Sequence, residues 1–190
     1  FATPRVFEDA VVDAVRARKF NGYAPSMGYD ATREAIARTR PGCCTMADVV
    51  VTSGCSAALE MAFRAVAGPG DVIAVPVPAF PLYETITHSH GIGVARYRLD
   101  PAAGFEANVS DLAAIAATHG ARVKAVVVNN PSNPVGVVYS LAHLQSLVAT
   151  IKHHFPDAVI ITDEIYDEVV FAPGHAFHAL APLALEQGVR

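Results

Sequence analysis

The order of apolar runs and turns predicts an α/β fold, a mainly parallel sheet with helices on both faces. Three observations carry this reading. From Asp48 onward, short β-branched runs alternate with helical runs and with polar or Gly/Pro turns, which is the βαβ pattern. Several of the short runs are apolar without alternation, as strands covered on both faces must be. The chain also has the means to build a core, since 52% of its 190 residues are hydrophobic and 17% are charged.

The expected strands are residues 49–52, 72–77, 93–97, 124–129 and 158–162. Residues 57–67 read as a helix that ends at Gly68, Pro69 and Gly70. Residues 111–119 form another, with Ser110 as its N-cap and Gly120 as its stop, and 141–154 a third, capped by Ser140 and closed before Pro156. Before the sheet, 8–19 and 31–39 read as helices on either side of an irregular segment, 21–30. No internal repeat, charge block or flexible linker marks an internal boundary. Residues 1–47 are therefore read as a helical segment leading into the sheet domain, 48–190.

Eighteen acidic against 14 basic residues give a formal charge of −4, without the basic field that a nucleic-acid binder needs. The uncharged stretch 72–83 holds three prolines and falls well short of the about 20 residues that span a bilayer, so no membrane segment is expected. Three cysteines, Cys43, Cys44 and Cys55, have neither disulfide-framework nor zinc-site spacing and fit a reducing compartment. No secretory signal is visible, and a cytoplasmic location is expected, with a mitochondrial one as the alternative.

In open α/β sheets ligands sit outside the carboxyl ends of the strands, so the residues following each strand matter most. Ser53, Gly54, Cys55 and Ser56 lead straight into a helix, where free backbone amides and a glycine make a cup for a phosphate. The plainer alternative is an ordinary N-cap by Ser53 or Ser56. Next, Pro76, Pro78 and Pro81 stiffen a segment that places Phe80, either as cover for a flat ligand or as a core ring. The stretch from Asn129 to Gly136 carries two Asn-Pro steps around Ser132, and asparagine before proline is pushed into an extended conformation that fixes its side chain. Finally Asp163, followed by Glu164, Ile165 and Tyr166, puts a carboxylate at the base of the same crevice, where burial demands a partner such as a cationic ligand atom. A solvated surface turn is the competing account.

Other chemistry finds less support. His153 and His154 suit the end of a helix, and His175 and His178 lack a third ligand, so no metal is expected. No histidine is placed by sequence to activate Cys55 as a nucleophile. No Walker sequence is present, and Gly91, Ile92 and Gly93 only begin a dinucleotide fingerprint, which disfavours a nicotinamide dehydrogenase.

Taken together, Asn21 to Gly28, Ser53 to Ser56, Pro78 to Phe80, Asn129 to Pro134 and Asp163 to Tyr166 resemble the fold-type-I pyridoxal phosphate enzymes. The likeness is to the aminotransferase branch that includes tyrosine and other aromatic aminotransferases, and it covers roughly residues 10 to 180 in the family's order. The resemblance implies an incomplete large domain of the aspartate aminotransferase type and pyridoxal 5'-phosphate as cofactor. It implies that Gly54, Cys55 and Ser56 receive the phosphate and that Phe80 stacks on the pyridine ring. Asn133 and Tyr166 would hydrogen-bond the ring's phenolic oxygen, and Asp163 would pair with the ring nitrogen. Tyr23 would reach the phosphate of a neighbouring subunit, which implies a homodimer with shared sites.

The implied reaction moves an amino group from an amino acid, tyrosine or another aromatic one, to a 2-oxo acid. A carbon–sulfur lyase or an alanine-type aminotransferase is the alternative in the same cofactor class; a non-catalytic fragment or interaction module is the alternative outside it. The reaction needs a lysine as Schiff-base carrier and proton shuttle. Lys19, Lys124 and Lys152 are the three lysines, and none is placed for that work. The catalytic lysine is expected beyond Arg190, so no catalytic residue is expected within this chain. Val135 departs from the threonine or cysteine that many relatives carry.

Overall fold

The computed structural model describes residues 2–189, which fall into two compact units, Phe1–Thr52 and Ser53–Arg190. The first unit holds α1 (Arg5–Ala17), α2 (Asp30–Arg38) and a 3-10 turn, Met46–Asp48. Helix α1 starts earlier than expected because Pro4 sits at its N-cap, where a missing N–H costs nothing. Arg33 organises the rest of this unit. Its buried guanidinium donates to the Val49 carbonyl at 2.9 Å and the Met46 carbonyl at 2.8 Å, and pairs with Asp30 at 3.2 Å.

That arrangement corrects one expectation, for residues 49–52 are extended at Val49 but form no strand. A strand is defined by its ladder, and here the ladder groups are taken by others. The Val49 carbonyl accepts from Arg33, and the Val51 N–H donates to the Met27 carbonyl at 3.0 Å. The same crossing brings Val51 against Gly28, whose φ of +95° lies in the left-handed region.

The second unit runs α3 (Gly54–Val66), β1 (Val72–Val77), α4 (Leu82–Ser89), β2 (Gly93–Asp100), β3 (Glu106–Ala107), α5 (Val109–His119), β4 (Val123–Asn129), α6 (Leu141–His154), β5 (Val159–Asp163) and α7 (Leu180–Glu186). One sheet in the order β3-β2-β1-β4-β5 is parallel throughout except for the short β2–β3 pair. The predicted α/β class therefore stands, with four of the expected strands in place. Helices α4 and α7 and strand β3 were not expected from the sequence. Pro81 reads as a breaker, yet at the N-cap of α4 it only precedes the first helical turn. The N-cap of α5 is Asn108 rather than Ser110, because the Asn108 side chain accepts from both the N–H and the hydroxyl of Ser110.

Alternation along the central strands divides the core into two layers. Ile73 and Val75 of β1, with Ala125 and Val127 of β4, face Leu59 and Phe63 of α3 and Tyr83 and Ile86 of α4. Val72 and Ala74, with Val126 and Val128, face α5 and α6 through Leu112, Leu144, Leu147 and Ile151. Val123 lies on this second face although Ala125, two residues on, lies on the first. A register irregularity explains it: Val72 pairs with Val123 but Ile73 with Ala125, so Lys124 is an extra residue in β4. The bulge puts Val123 and Ala125 on opposite faces, both buried, with the half-buried Lys124 between them.

After β1 the chain moves outward to β2, then returns past β1 to begin β4. The strand order thus reverses between β1 and β4, and the carboxyl ends there open a crevice. Among the described residues no helix is long and apolar enough to cross a membrane.

A Cβ on Gly28 would lie 2.7 Å from Val51 Cγ2, in addition to the torsional strain at that φ. Gly28→Ala should therefore lower unfolding free energy by about 2–4 kcal/mol, the sum of a left-handed non-glycine residue and overpacking. Urea denaturation of the purified chain measures it.

Candidate active site

The crevice at the reversal point holds a cavity of about 180 Å³ built from four segments of the second unit. The first is the start of α3. Gly54 takes a φ of +79° as the chain turns into the helix, and a Cβ there would touch nothing within 4 Å, so glycine is required for torsion rather than for room. Helical geometry leaves the amides of Cys55 and Ser56 in the first turn without an intrahelical acceptor. Both residues line the cavity. Ser53 is the N-cap but makes no side-chain cap, so the plain capping account of the serines does not hold for it.

The second segment follows β1. Phe80 stands at the cavity rim with 36% of its surface exposed, not in the core, and Tyr83 lies behind it with ring centroids 6.0 Å apart in an edge-to-face pair. The third is the loop after β4. Asn129, buried like Asn130, is a bracket: its Nδ2 donates to the carbonyls of Asp163 at 3.0 Å and Pro131 at 3.2 Å, while its Oδ1 accepts from the Asn133 N–H at 2.7 Å. Asn133 is thereby held against the end of β5, and it lines the cavity. Asn130 accepts from the Tyr139 N–H at 2.8 Å and leaves its buried Nδ2 unpartnered.

The fourth segment is the end of β5. Asp163 is 6% exposed, so the solvated-turn account fails. Its Oδ2 accepts from the Tyr83 hydroxyl at 2.7 Å; its Oδ1 accepts from the Ile165 N–H at 3.3 Å and lies 3.9 Å from Cys55 Sγ. Tyr166 lines the cavity beside Asn133. Burial pushes the Tyr83 phenol far up, and the Asp163 carboxylate pushes it further. Burial likewise pushes the Cys55 thiol up, with the same carboxylate adding to it. Both groups therefore stay protonated at neutral pH and serve Asp163 as donors. Among the described residues, no lysine, arginine or histidine lines the cavity or pairs with Asp163.

Six of the residues singled out in the sequence meet in this cavity: Cys55, Ser56, Phe80, Asn133, Asp163 and Tyr166. Gly54 adjoins them as the first residue of α3. Tyr23 belongs to the first unit, where its ring is fully exposed, and is not part of the lining. Sequence reading missed Tyr83. A polar aromatic three residues after Phe80 was the available signal, but nothing local announces that its hydroxyl reaches a carboxylate 80 residues on. Lys124 and Lys152 point elsewhere, the first to the Ala121 carbonyl at 2.9 Å and the second to the Gln187 carbonyl. Among the described residues no cluster of His, Cys, Asp or Glu can hold a metal ion.

Comparison with known proteins places this geometry. The family "Aminotransferase class I and II" matches residues 2–188. A tyrosine aminotransferase of Dictyostelium discoideum is 38% identical over 178 residues, covering 92% of this chain and 41% of that protein. An S-alkyl-thiohydroximate lyase of Arabidopsis thaliana is 36% identical over 168 residues, covering 86% of this chain and 35% of its own length. The crystal structure of tyrosine aminotransferase from Leishmania infantum superposes with a TM-score of 0.86 at 35% identity, over 95% of this chain and 50% of that one. The chain thus spans half or less of the length of the relatives it matches. With a match that runs nearly from end to end and the reversal-point cavity in place, this chain belongs to the class I and II aminotransferase family.

Proposed function

We propose that this chain is the cofactor-holding part of an aminotransferase that moves the amino group of an aromatic amino acid, tyrosine foremost, to a 2-oxo acid, using pyridoxal 5'-phosphate. The observation that carries the reading is Asp163, a buried carboxylate at the floor of the cavity with three neutral donors around it and, among the described residues, no cationic side chain beside it. A buried charge left in that state calls for a cation from a ligand. A protonated pyridine nitrogen meets the need. At the other end of the lining, the first-turn amides of α3 at Cys55 and Ser56 and the positive end of the helix dipole suit a phosphate.

The remaining residues take roles consistent with that placement. Gly54 sets the backbone turn that presents the amides. Phe80, at the rim, covers one face of the ring, while Asn133 and Tyr166 supply polar contacts at its edge. When bound, the cofactor supplies an electron sink for the bond-breaking at the substrate α-carbon. Asp163 serves that chemistry by holding a proton on the ring nitrogen. Proton movement at the α-carbon also needs a base, and among the described residues no lysine lines the cavity to serve as one. A homodimer completes the site, with the exposed ring of Tyr23 available to the phosphate region of a second copy.

Similarity to tyrosine aminotransferases supports the aromatic substrate. Similarity to an S-alkyl-thiohydroximate lyase, at lower identity, favours the lyase reading. Products distinguish them: incubating tyrosine and 2-oxoglutarate with the longer protein that carries this chain should yield equal amounts of aromatic oxo acid and glutamate, without ammonia. Ammonia release with no need for an acceptor would favour the lyase instead.

The cofactor assignment is tested on the chain itself with pyridoxamine 5'-phosphate, which needs no lysine to bind. Fluorescence titration should give saturable binding. Asp163→Asn should weaken it by about 10- to 100-fold, as expected for a hydrogen-bonded charged contact. Equal affinity in the two proteins would remove Asp163 from the site.

A further inference from the structure

Tyr83 has no role in the assignment above, yet it makes the shortest contact to the residue on which that assignment rests. It is fully buried in the layer formed by Phe63, Ile73, Val75 and Val127, where a phenylalanine would satisfy every apolar neighbour. Its hydroxyl is a polar atom placed in that layer, and it donates to Asp163 Oδ2 at 2.7 Å.

We propose that Tyr83 is a positioning residue that acts through Asp163, locking the carboxylate so that its free acceptor site faces the ring nitrogen of the bound cofactor. The inference rests on the pyridoxal phosphate reading and extends it. An ionised carboxylate has roughly four lone-pair positions. In Asp163, Oδ2 is engaged by Tyr83 and Oδ1 by the Ile165 N–H, with the Cys55 thiol close by. Rotation of the carboxylate about its Cβ–Cγ bond would break the first two together, so the remaining acceptor position is fixed in direction. Of the three donors the phenol is nearest, and it stands on an independent element, α4, whose buried Tyr83, Ile86 and Thr87 anchor it to the sheet. The Ile165 N–H belongs to the same turn as Asp163 and moves with it. Burial keeps the phenol protonated, so it remains a donor across the range in which enzymes of this kind work.

A packing role and a positioning role differ in what Tyr83→Phe should do to two ligands. Pyridoxamine 5'-phosphate has the ring nitrogen, whereas its 1-deaza analogue has a C–H there and offers Asp163 nothing to bind. If Tyr83 acts through Asp163, Y83F weakens pyridoxamine 5'-phosphate by about 10-fold and leaves the deaza analogue within about twofold, the former being the scale of one hydrogen bond to a charged group. In an Asp163→Asn background, the Y83F change should no longer matter to either ligand. Tyr83→His retains a ring N–H donor and should recover part of the discrimination, which keeps the test decisive should Y83F fold poorly. Equal losses for both ligands in Y83F, or an undiminished Y83F effect in the Asp163→Asn protein, would reduce Tyr83 to a packing residue and overturn this inference alone. Failure of the unsubstituted chain to bind either ligand would overturn the cofactor reading and this inference with it.

Discussion

A carboxylate that is 94% removed from solvent constrains the second unit more than any other single group. An isolated buried charge would cost several kcal/mol, and the described chain offers Asp163 no cation to offset it. It is satisfied by neutral donors drawn from separate elements: the Tyr83 phenol on α4, the Ile165 amide after β5 and, at longer range, the Cys55 thiol on α3. The backbone joins in, for the Asp163 carbonyl accepts from the Asn129 side chain and from the Asn130 N–H. Four segments distant in sequence are thus held at one point. Their convergence is what makes a cavity at the sheet's carboxyl edge.

The sheet makes that convergence geometrically available. Strands β1, β4 and β5 are parallel, so the segments that leave them emerge on the same edge, and the reversal of order between β1 and β4 leaves a gap there. The register pairs Asn129 with Asp163 directly, which puts the asparagine bracket and the carboxylate side by side at the last rung. The bulge at Lys124 acts at the far end of the same strand. It sets which face each β4 side chain occupies, so that Ala125 and Val127 meet α3 and α4, the two helices that carry Cys55 and Tyr83. Site and core are therefore set by one strand register.

Much of this was legible in the sequence, and the parts that were not share a cause. The strands show themselves through the runs 72–77 and 125–128, apolar without alternation because both faces are covered, a pattern written in the residues themselves. Phe80, Asn133 and Asp163 were visible because each stands at or just beyond the carboxyl end of a strand, where the fold class alone says ligands gather, and Gly54 because a glycine among serines opens a helix. The apolar run at 49–52 misled because a strand needs a partner that sequence does not reveal, and Arg33 and Met27 take its hydrogen-bonding groups instead. Helix α4 was hidden by Pro81, whose meaning depends on whether it precedes or interrupts a helix. Tyr83 and the bracketing by Asn129 were invisible for a stronger reason. The Tyr83 and Asn129 contacts to Asp163 join segments 80 and 34 residues apart, and no local pattern distinguishes a tyrosine that meets a carboxylate from one that fills a core.

The two ends of the cavity differ in electrostatic character. Neutral donors can solvate the Asp163 carboxylate but cannot cancel its charge, so this end of the cavity stays negative. The α3 end is opposite in character, with the dipole and the first-turn amides of Cys55 and Ser56 favouring an anion. A ligand with a cation at one end and an anion at the other is favoured in a single direction, and the reversed pose is opposed at both ends. Such a site selects orientation before any side chain recognises the rest of the molecule. A basic residue in place of Tyr83 or Cys55 would pair with the carboxylate internally, as buried charges commonly do, and would abolish that polarity. The use of a phenol and a thiol, groups that burial keeps neutral, preserves it.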